Sequence, residues 1–209
     1  AGLLVQGEEN IHAIENDITI KDGGNSLFTD RYGILFNGTV STYVNCNDIL
    51  GPHPGQAGTY GLACYGNGNI GFAKCNVFDS TEVGAHYYNA MFDTYEFAGN
   101  EIQSHVHGLR LGEPGAGNTG VVIQPQNHTG NRWTGSYSAY GAIIYEGNND
   151  GIQNNQFFVD DGSPLEPTWD DPEYPGSSLW FRDDIPSGGN YFECSVENDT
   201  TCPEIGRAS

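Results

Sequence analysis

The chain has 209 residues, with 7 Lys plus Arg against 27 Asp plus Glu. A formal charge of −20 repels nucleic acid and anionic membrane surfaces, which argues against either as a partner. Thirty Gly and twelve Tyr beside a single Met suit a turn-rich β protein, and no window carries a helical period.

In chain order, residues 1–31 read as one degenerate opening coil, with Ile11, Ile14, Ile18 and Ile20 around Asn16-Asp17-Ile18. Leu3-Leu4-Val5 is too short for a membrane span and lacks the basic flank of a signal peptide, so a mature product or a fragment of something longer is expected. From residue 32 a phrase recurs: a Gly that opens a strand, a gap, then Asn and, two places on, a large apolar residue. It runs from Tyr32-Gly33-Ile34 to Asn47-Asp48-Ile49, and from Tyr60-Gly61-Leu62 to Asn76-Val77-Phe78. It returns from Val83-Gly84-Ala85 to Asn100-Glu101-Ile102, from His107-Gly108-Leu109 to Asn131-Arg132-Trp133, and from Tyr140-Gly141-Ala142 to Asn155-Gln156-Phe157.

The glycines step by 28, 23, 24 and 33 residues, the period of a stacked repeat in which each unit buries its apolar face against its neighbours. The Asn tolerates a left-handed bend, and its amide can bond the same residue one coil above and below. The fold expected is therefore all-β, a right-handed parallel β-helix (a solenoid). A leucine-rich repeat would need a Leu spacing that the chain lacks, a propeller needs more residues per blade, and a twisted sandwich is the remaining alternative. Gly112 to Asn118 reads as a loop inserted in the fourth coil. The coils fill residues 1–159. Residues 160–209, rich in acids, Pro and aromatics, read as an irregular acidic C-terminal cap covering the last strand edges.

Five cysteines suggest an oxidising compartment. Cys194 and Cys202 bracket a short polar loop and are predicted to pair. Cys46 and Cys75 each precede the Asn of successive coils, which would place them ~4.8 Å apart, inside the disulfide window. Cys64 falls where other coils carry Phe36, Tyr87, Leu111 and Ile144, and is predicted to be buried and unpaired.

The stretch Gly130-Asn131-Arg132-Trp133-Thr134-Gly135-Ser136-Tyr137-Ser138-Ala139-Tyr140-Gly141-Ala142 resembles repeat-bearing secreted and surface proteins of the Bacteroidetes. So does the following run of Phe157-Phe158-Val159, Pro167, Pro175, Trp180-Phe181, Cys194 and Cys202. The coils are also similar to the pectin-lyase-like superfamily of β-helices. The first resemblance implies an extracellular or cell-surface location; the second implies polysaccharides as possible substrates.

Four groups of residues are candidates for chemistry. His105-Val106-His107 sets two imidazoles two apart, on one face if the segment is a strand. With Arg110 they would form a basic spot for proton abstraction, or two metal ligands without a third. Asp160-Asp161 could act as paired carboxylates, although the isolated Asp, Gly-His-Gly and Arg-x-Lys that accompany such a pair in galacturonase-like β-helices do not occur. Asp160, Asp161, Asp170 and Asp171, with Glu173, Asp183 and Asp184, offer oxygen ligands for Ca²⁺, without the spacing of a calcium loop. Trp169, Tyr174 and Trp180, with Tyr87, Tyr88 and Tyr95, could form an aromatic platform for sugar rings.

Asn37-Gly38-Thr39, Asn127-His128-Thr129 and Asn198-Asp199-Thr200 fit the N-glycosylation pattern. Asp79-Ser80-Thr81 and Asp199-Thr200-Thr201 resemble O-glycosylation acceptors of Bacteroidetes secreted proteins. The function expected is an extracellular β-helix module with a structural, adhesive or assembly role, its partners other surface proteins or glycans. A polysaccharide lyase or hydrolase and a glycan-binding module are the alternatives.

Overall fold

A computed structural model describes residues 2–7, 11–22, 30–38, 42–66, 72–88, 96–114, 126–127, 129–145, 154–159, 165–167, 170–171, 180–183, 192 and 194. Nineteen strands lie among them, and every strand pairing is parallel. The chain is all-β, its strands laid in stacked sheets.

The opening residues give β1 (Leu3–Gln6), β2 (His12–Ile14) and β3 (Asp17–Thr19). The next turn of chain gives β4 (Arg31–Asn37), β5 (Tyr43–Asn45) and β6 (Asp48–Leu50), then β7 (Thr59–Tyr65), β8 (Phe72–Lys74) and β9 (Val77–Asp79). There follow β10 (Val83–Tyr88), β11 (Glu96–Ala98) and β12 (Glu101–Gln103), and β13 (His107–Leu111), β14 (Gln126–Asn127) and β15 (Arg132–Thr134). The last are β16 (Tyr140–Ile144), β17 (Phe157–Val159), β18 (Asp170–Asp171) and β19 (Phe181–Asp183).

Three sheets share these strands in rotation. One has the order β1-β4-β7-β10-β13-β16-β18, a second β11-β8-β5-β2, and a third β15-β12-β9-β6-β3, while β14-β17-β19 form a fourth. Each strand thus pairs with the strand one repeat away rather than with its neighbour in sequence. Pairing also continues past Val159, because β18 joins β16 and β19 joins β17.

The recurring glycines occupy one column of the seven-stranded sheet, flanked by the register pairs Tyr32↔Tyr60 and Ile34↔Leu62. A methyl group on Gly33, Gly61 or Gly84 would lie 2.5–2.6 Å from the carbonyl oxygen of the next glycine along the stack. Backbone approaches backbone too closely there for any side chain, which is why the sequence repeats Gly. Ile34, Leu62, Ala85, Leu109 and Ala142 follow in register on the buried face, and so do Phe36, Cys64, Tyr87, Leu111 and Ile144. Cys64 is free and buried, as expected.

The Asn column is a continuous hydrogen-bond ladder. Asn16 Nδ2 donates to Asn47 Oδ1 at 2.8 Å, Asn47 to Asn76 at 2.8 Å, Asn76 to Asn100 at 2.9 Å and Asn100 to Asn131 at 3.0 Å. The backbone N–H of Asn16, Asn47, Asn76 and Asn100 donates to the same oxygen as its amide does. The residue before each ladder Asn is left-handed: Glu15, Cys46, Cys75, Gly99 and Gly130 have φ of 58°, 59°, 58°, 64° and 66°. The bend thus turns the chain between two sheets, and the ladder satisfies the polar groups that the bend buries.

The fifth phrase breaks this register. Phe157 pairs with Gln126, five residues before Asn131, so Asn155 does not stack as the next rung. Asn155 is buried and its carbonyl accepts the Trp180 indole N–H at 2.8 Å.

The predicted cysteine pairs are also replaced. Cys75 is bonded to Cys194, with Cα atoms 5.6 Å apart and a separation of 119 positions in sequence. Cys46 is disulfide-bonded as well, and Cys202 lies outside the described residues. Cys46 and Cys75 are one coil apart, the Cys46 N–H donating to Lys74 O at 3.0 Å. At equivalent bends with equal φ, however, their Cα–Cβ bonds run parallel instead of converging. Cys194 and Phe192 lie on the bend column, Cys194 against Gly99, Phe192 against Gly99 and Gly130, and the Lys74 ammonium 5.4 Å from the Phe192 ring centre.

Candidate functional site

The outer face of the seven-stranded sheet gathers the polar and aromatic side chains of several coils. Tyr32, Tyr60, Val83, His107 and Tyr140 form one column on the side away from the core, and Leu35, Ala63, His86, Arg110 and Ile143 form the next, with Val83, Ala63, His86 and Ile143 themselves buried. The ring of Tyr60 is held between Tyr32 at 5.1 Å and His86 at 5.7 Å, nearly parallel to both. His107 stacks on Tyr140 at 6.0 Å. Tyr65 crosses edge-on to His86 at 5.2 Å.

His86 is the buried centre of this face. Its Nε2 lies 3.0 Å from the Gly112 carbonyl and its Nδ1 3.1 Å from the Tyr65 hydroxyl. A carbonyl only accepts, so Nε2 carries the proton and Nδ1 accepts from Tyr65. Burial, and then the Arg110 charge, push the His86 pKa down to about 3, against the pull of the Gly112 carbonyl. The 3.4 Å approach of Glu113 to Nε2 is therefore a contact with a neutral ring.

Arg110 carries the charge of the site. Its guanidinium donates to the Glu113 carboxylate and sits 5.5 Å from the Tyr145 ring centre. Arg110 Nε and His107 Nδ1 are buried and have no hydrogen-bond partner among the described residues. Burial, and then the Arg110 charge, lower the His107 pKa. Burial raises the pKa of Tyr60 to about 12 and raises those of Tyr32 and Tyr65, so these phenols keep their protons near neutral pH. What the face offers is a set of uncharged hydroxyl and imidazole groups around one compensated cation.

His105 does not join His107. It lies before β13, fully buried, with Nε2 3.0 Å from Phe78 O and Nδ1 3.1 Å from Thr81 O. Two carbonyls pull its pKa up, but burial dominates and sets it at about 4. It ties two coils together and is out of reach of any ligand. The one-face reading of the two histidines fails because the chain bends between them.

Trp180 is also interior, 1% exposed, in an aromatic cluster with Phe157, Phe181 and Trp133. It is unavailable to a sugar platform, as is the buried Tyr87. Trp169, Tyr174, Tyr95, Asp160 and Asp161 lie outside the described residues. Asp170 and Asp171 form β18, in register with Ala142 and Ile143. Among the described residues no group of three or more His, Cys, Asp or Glu is placed to hold a metal ion, and no helix is long and apolar enough to cross a membrane.

His86 and Glu113 went unnoticed in the sequence because no local motif marks them. Aligning the coils on their Gly was the available signal: it places His86 and Arg110 two residues after Gly84 and Gly108. No protein-family model, curated protein or solved structure matches the chain.

Proposed function

We propose that the chain is a right-handed parallel β-helix that works as an extracellular adhesive module and binds glycans on the outer face of its seven-stranded sheet. The rotation of strands through three sheets supports the helix, and the hand follows from the strong right-handed preference of parallel crossovers. The disulfide and the high negative charge support an extracellular place. The observation that carries the binding reading is the ring stack Tyr32–Tyr60–His86, three nearly parallel rings from three coils beside the Arg110–Glu113 pair. Tyrosines fixed by stacking meet a ligand with little loss of side-chain freedom.

Affinity gel electrophoresis against a panel of polysaccharides tests this reading. Retardation of the native protein by at least one polymer, weakened in Tyr60→Ala, is expected; free migration throughout refutes it. A catalytic reading draws on the unpartnered His107 Nδ1 beside Arg110 Nε. Release of reducing ends or unsaturated products that disappears in His107→Ala would replace binding by catalysis.

A further inference from the structure

The binding reading leaves the chemistry of the glycan open, and the same face narrows it. We infer that the ligand is a linear, neutral, hydroxyl-rich glycan laid along the stacking direction, on the column of Tyr60, His107 and Tyr140. This rests on the reading above and adds a substrate class to it.

Four observations converge. Partly exposed rings recur at one register position, Tyr32 and Tyr60 on one side of the buried Val83 and His107 and Tyr140 on the other, which suits a repeating polymer. The Tyr32, Tyr60 and His86 rings cover one another's faces. His86 is buried and Tyr32 and Tyr60 are partly exposed, so the two tyrosines meet a ligand at their edges and hydroxyls, which suits hydrogen bonding to sugar hydroxyls more than stacking beneath a pyranose. His107 Nδ1 and Arg110 Nε are buried and unpartnered, and a hydroxyl can serve a ring nitrogen as donor or acceptor, whereas a carboxylate only accepts.

Charge decides the rest. Glu113 already neutralises Arg110, His86 is uncharged, and Glu82, bonded through its carboxylate to Gly58 N–H, adds a negative group at the start of β10. On a chain of net charge −20, no uncompensated cation among the described residues of this face remains to attract an anionic polymer.

The test is affinity electrophoresis and calorimetry with neutral glucans, mannans and xylans, with uronate polymers and with sulfated polymers, each at low and high salt. Retention by a neutral polymer, insensitive to salt and weakened about tenfold in His107→Ala, as expected for a lost hydrogen bond to a buried group, supports the inference. Glu113→Gln, which frees the Arg110 charge, is expected to gain salt-sensitive retention by uronate polymers. Preferential binding of uronate or sulfated polymers by the unaltered protein overturns the neutral assignment and leaves the binding reading standing. Retention by no polymer overturns the binding reading itself.

Discussion

Replacing Asn76 by Ala removes the middle rung of the amide ladder. The Asn76 side chain makes four hydrogen bonds: its Nδ2 donates to Val44 O at 2.7 Å and Asn100 Oδ1 at 2.9 Å, and its Oδ1 accepts from Asn47 N at 3.0 Å and Asn47 Nδ2 at 2.8 Å. Asn47 Nδ2 keeps bonds to Ala13 O and Asn45 O, and Asn100 Oδ1 keeps the backbone N–H of residue 76. The Asn47 N–H loses its partner outright, whereas the Val44 carbonyl stays within the β5–β8 ladder. At about 1–3 kcal/mol for the buried N–H left unsatisfied, with the other lost bonds and a small cavity added, the loss is about 2–4 kcal/mol.

Asn16 stands at the end of the ladder and is only half-buried. Its side chain donates to Asn47 Oδ1 and Ile14 O, so Asn16→Ala should cost about 1 kcal/mol. Urea unfolding followed by tryptophan fluorescence measures both. For a chain of this size about 3 kcal/mol corresponds to a fall in Tm of roughly 6–12 °C. Equal effects of about 1 kcal/mol in the two variants would refute the claim that the ladder satisfies otherwise orphaned backbone groups.

Three further expectations can be checked on the same protein. Gly130→Ala drives a methyl group into the Phe192 carbonyl, and Gly99→Ala brings one to 2.9 Å from the Phe192 ring. Each should displace Phe192, cost about 1–3 kcal/mol, and speed reduction of Cys75–Cys194 in a thiol-trapping assay. The folded-state pKa of His105, about 4, lies below the unfolded value near 6.5, so the unfolded chain binds the extra proton. Its contribution is fully present above pH 6.5 and is lost as pH falls toward 4, roughly 2 kcal/mol between pH 6.5 and 4.5, with His86 acting in the same direction; pH-dependent urea midpoints test this, and a flat profile across that window would contradict it. Cys64 is fully buried and burial raises its thiol pKa strongly, so a maleimide should label no free thiol in the native protein and one on unfolding.

The repeat was legible because it records two unavoidable contacts. Only Gly admits a carbonyl at the distance found beside Gly33, Gly61 and Gly84, and Asn both turns the chain and bonds its own copy in the next coil. The same signal misled at Asn155, since Asn148, Asn149, Asn154 and Asn155 crowd one stretch and composition alone cannot choose among them. Cysteine pairing failed on direction: spacing gave the Cys46–Cys75 separation but not the parallel side chains. The His105–His107 pair failed because alternation holds only within a strand, and β13 begins at His107. The site around His86 arises from residues 65, 86, 110 and 113, each from a different turn or loop, so only the cross-coil register brings them together.

The Cys75–Cys194 disulfide changes how the stack responds to load. A repeat array coupled only through nearest neighbours can peel from an end, one coil at a time. Here a covalent bridge joins Cys75 to Cys194 across 119 positions in sequence, with Phe192 bearing on two intervening bends. A pull transmitted through the backbone from residues before Cys75 to residues after Cys194 is short-circuited by that bridge, and the coils between carry none of it. Cys46 is disulfide-bonded as well, so the strands that precede it, β1 to β5, are the ones free of such a cross-link under tension, which would make an anchored molecule extensible at its N-terminal side.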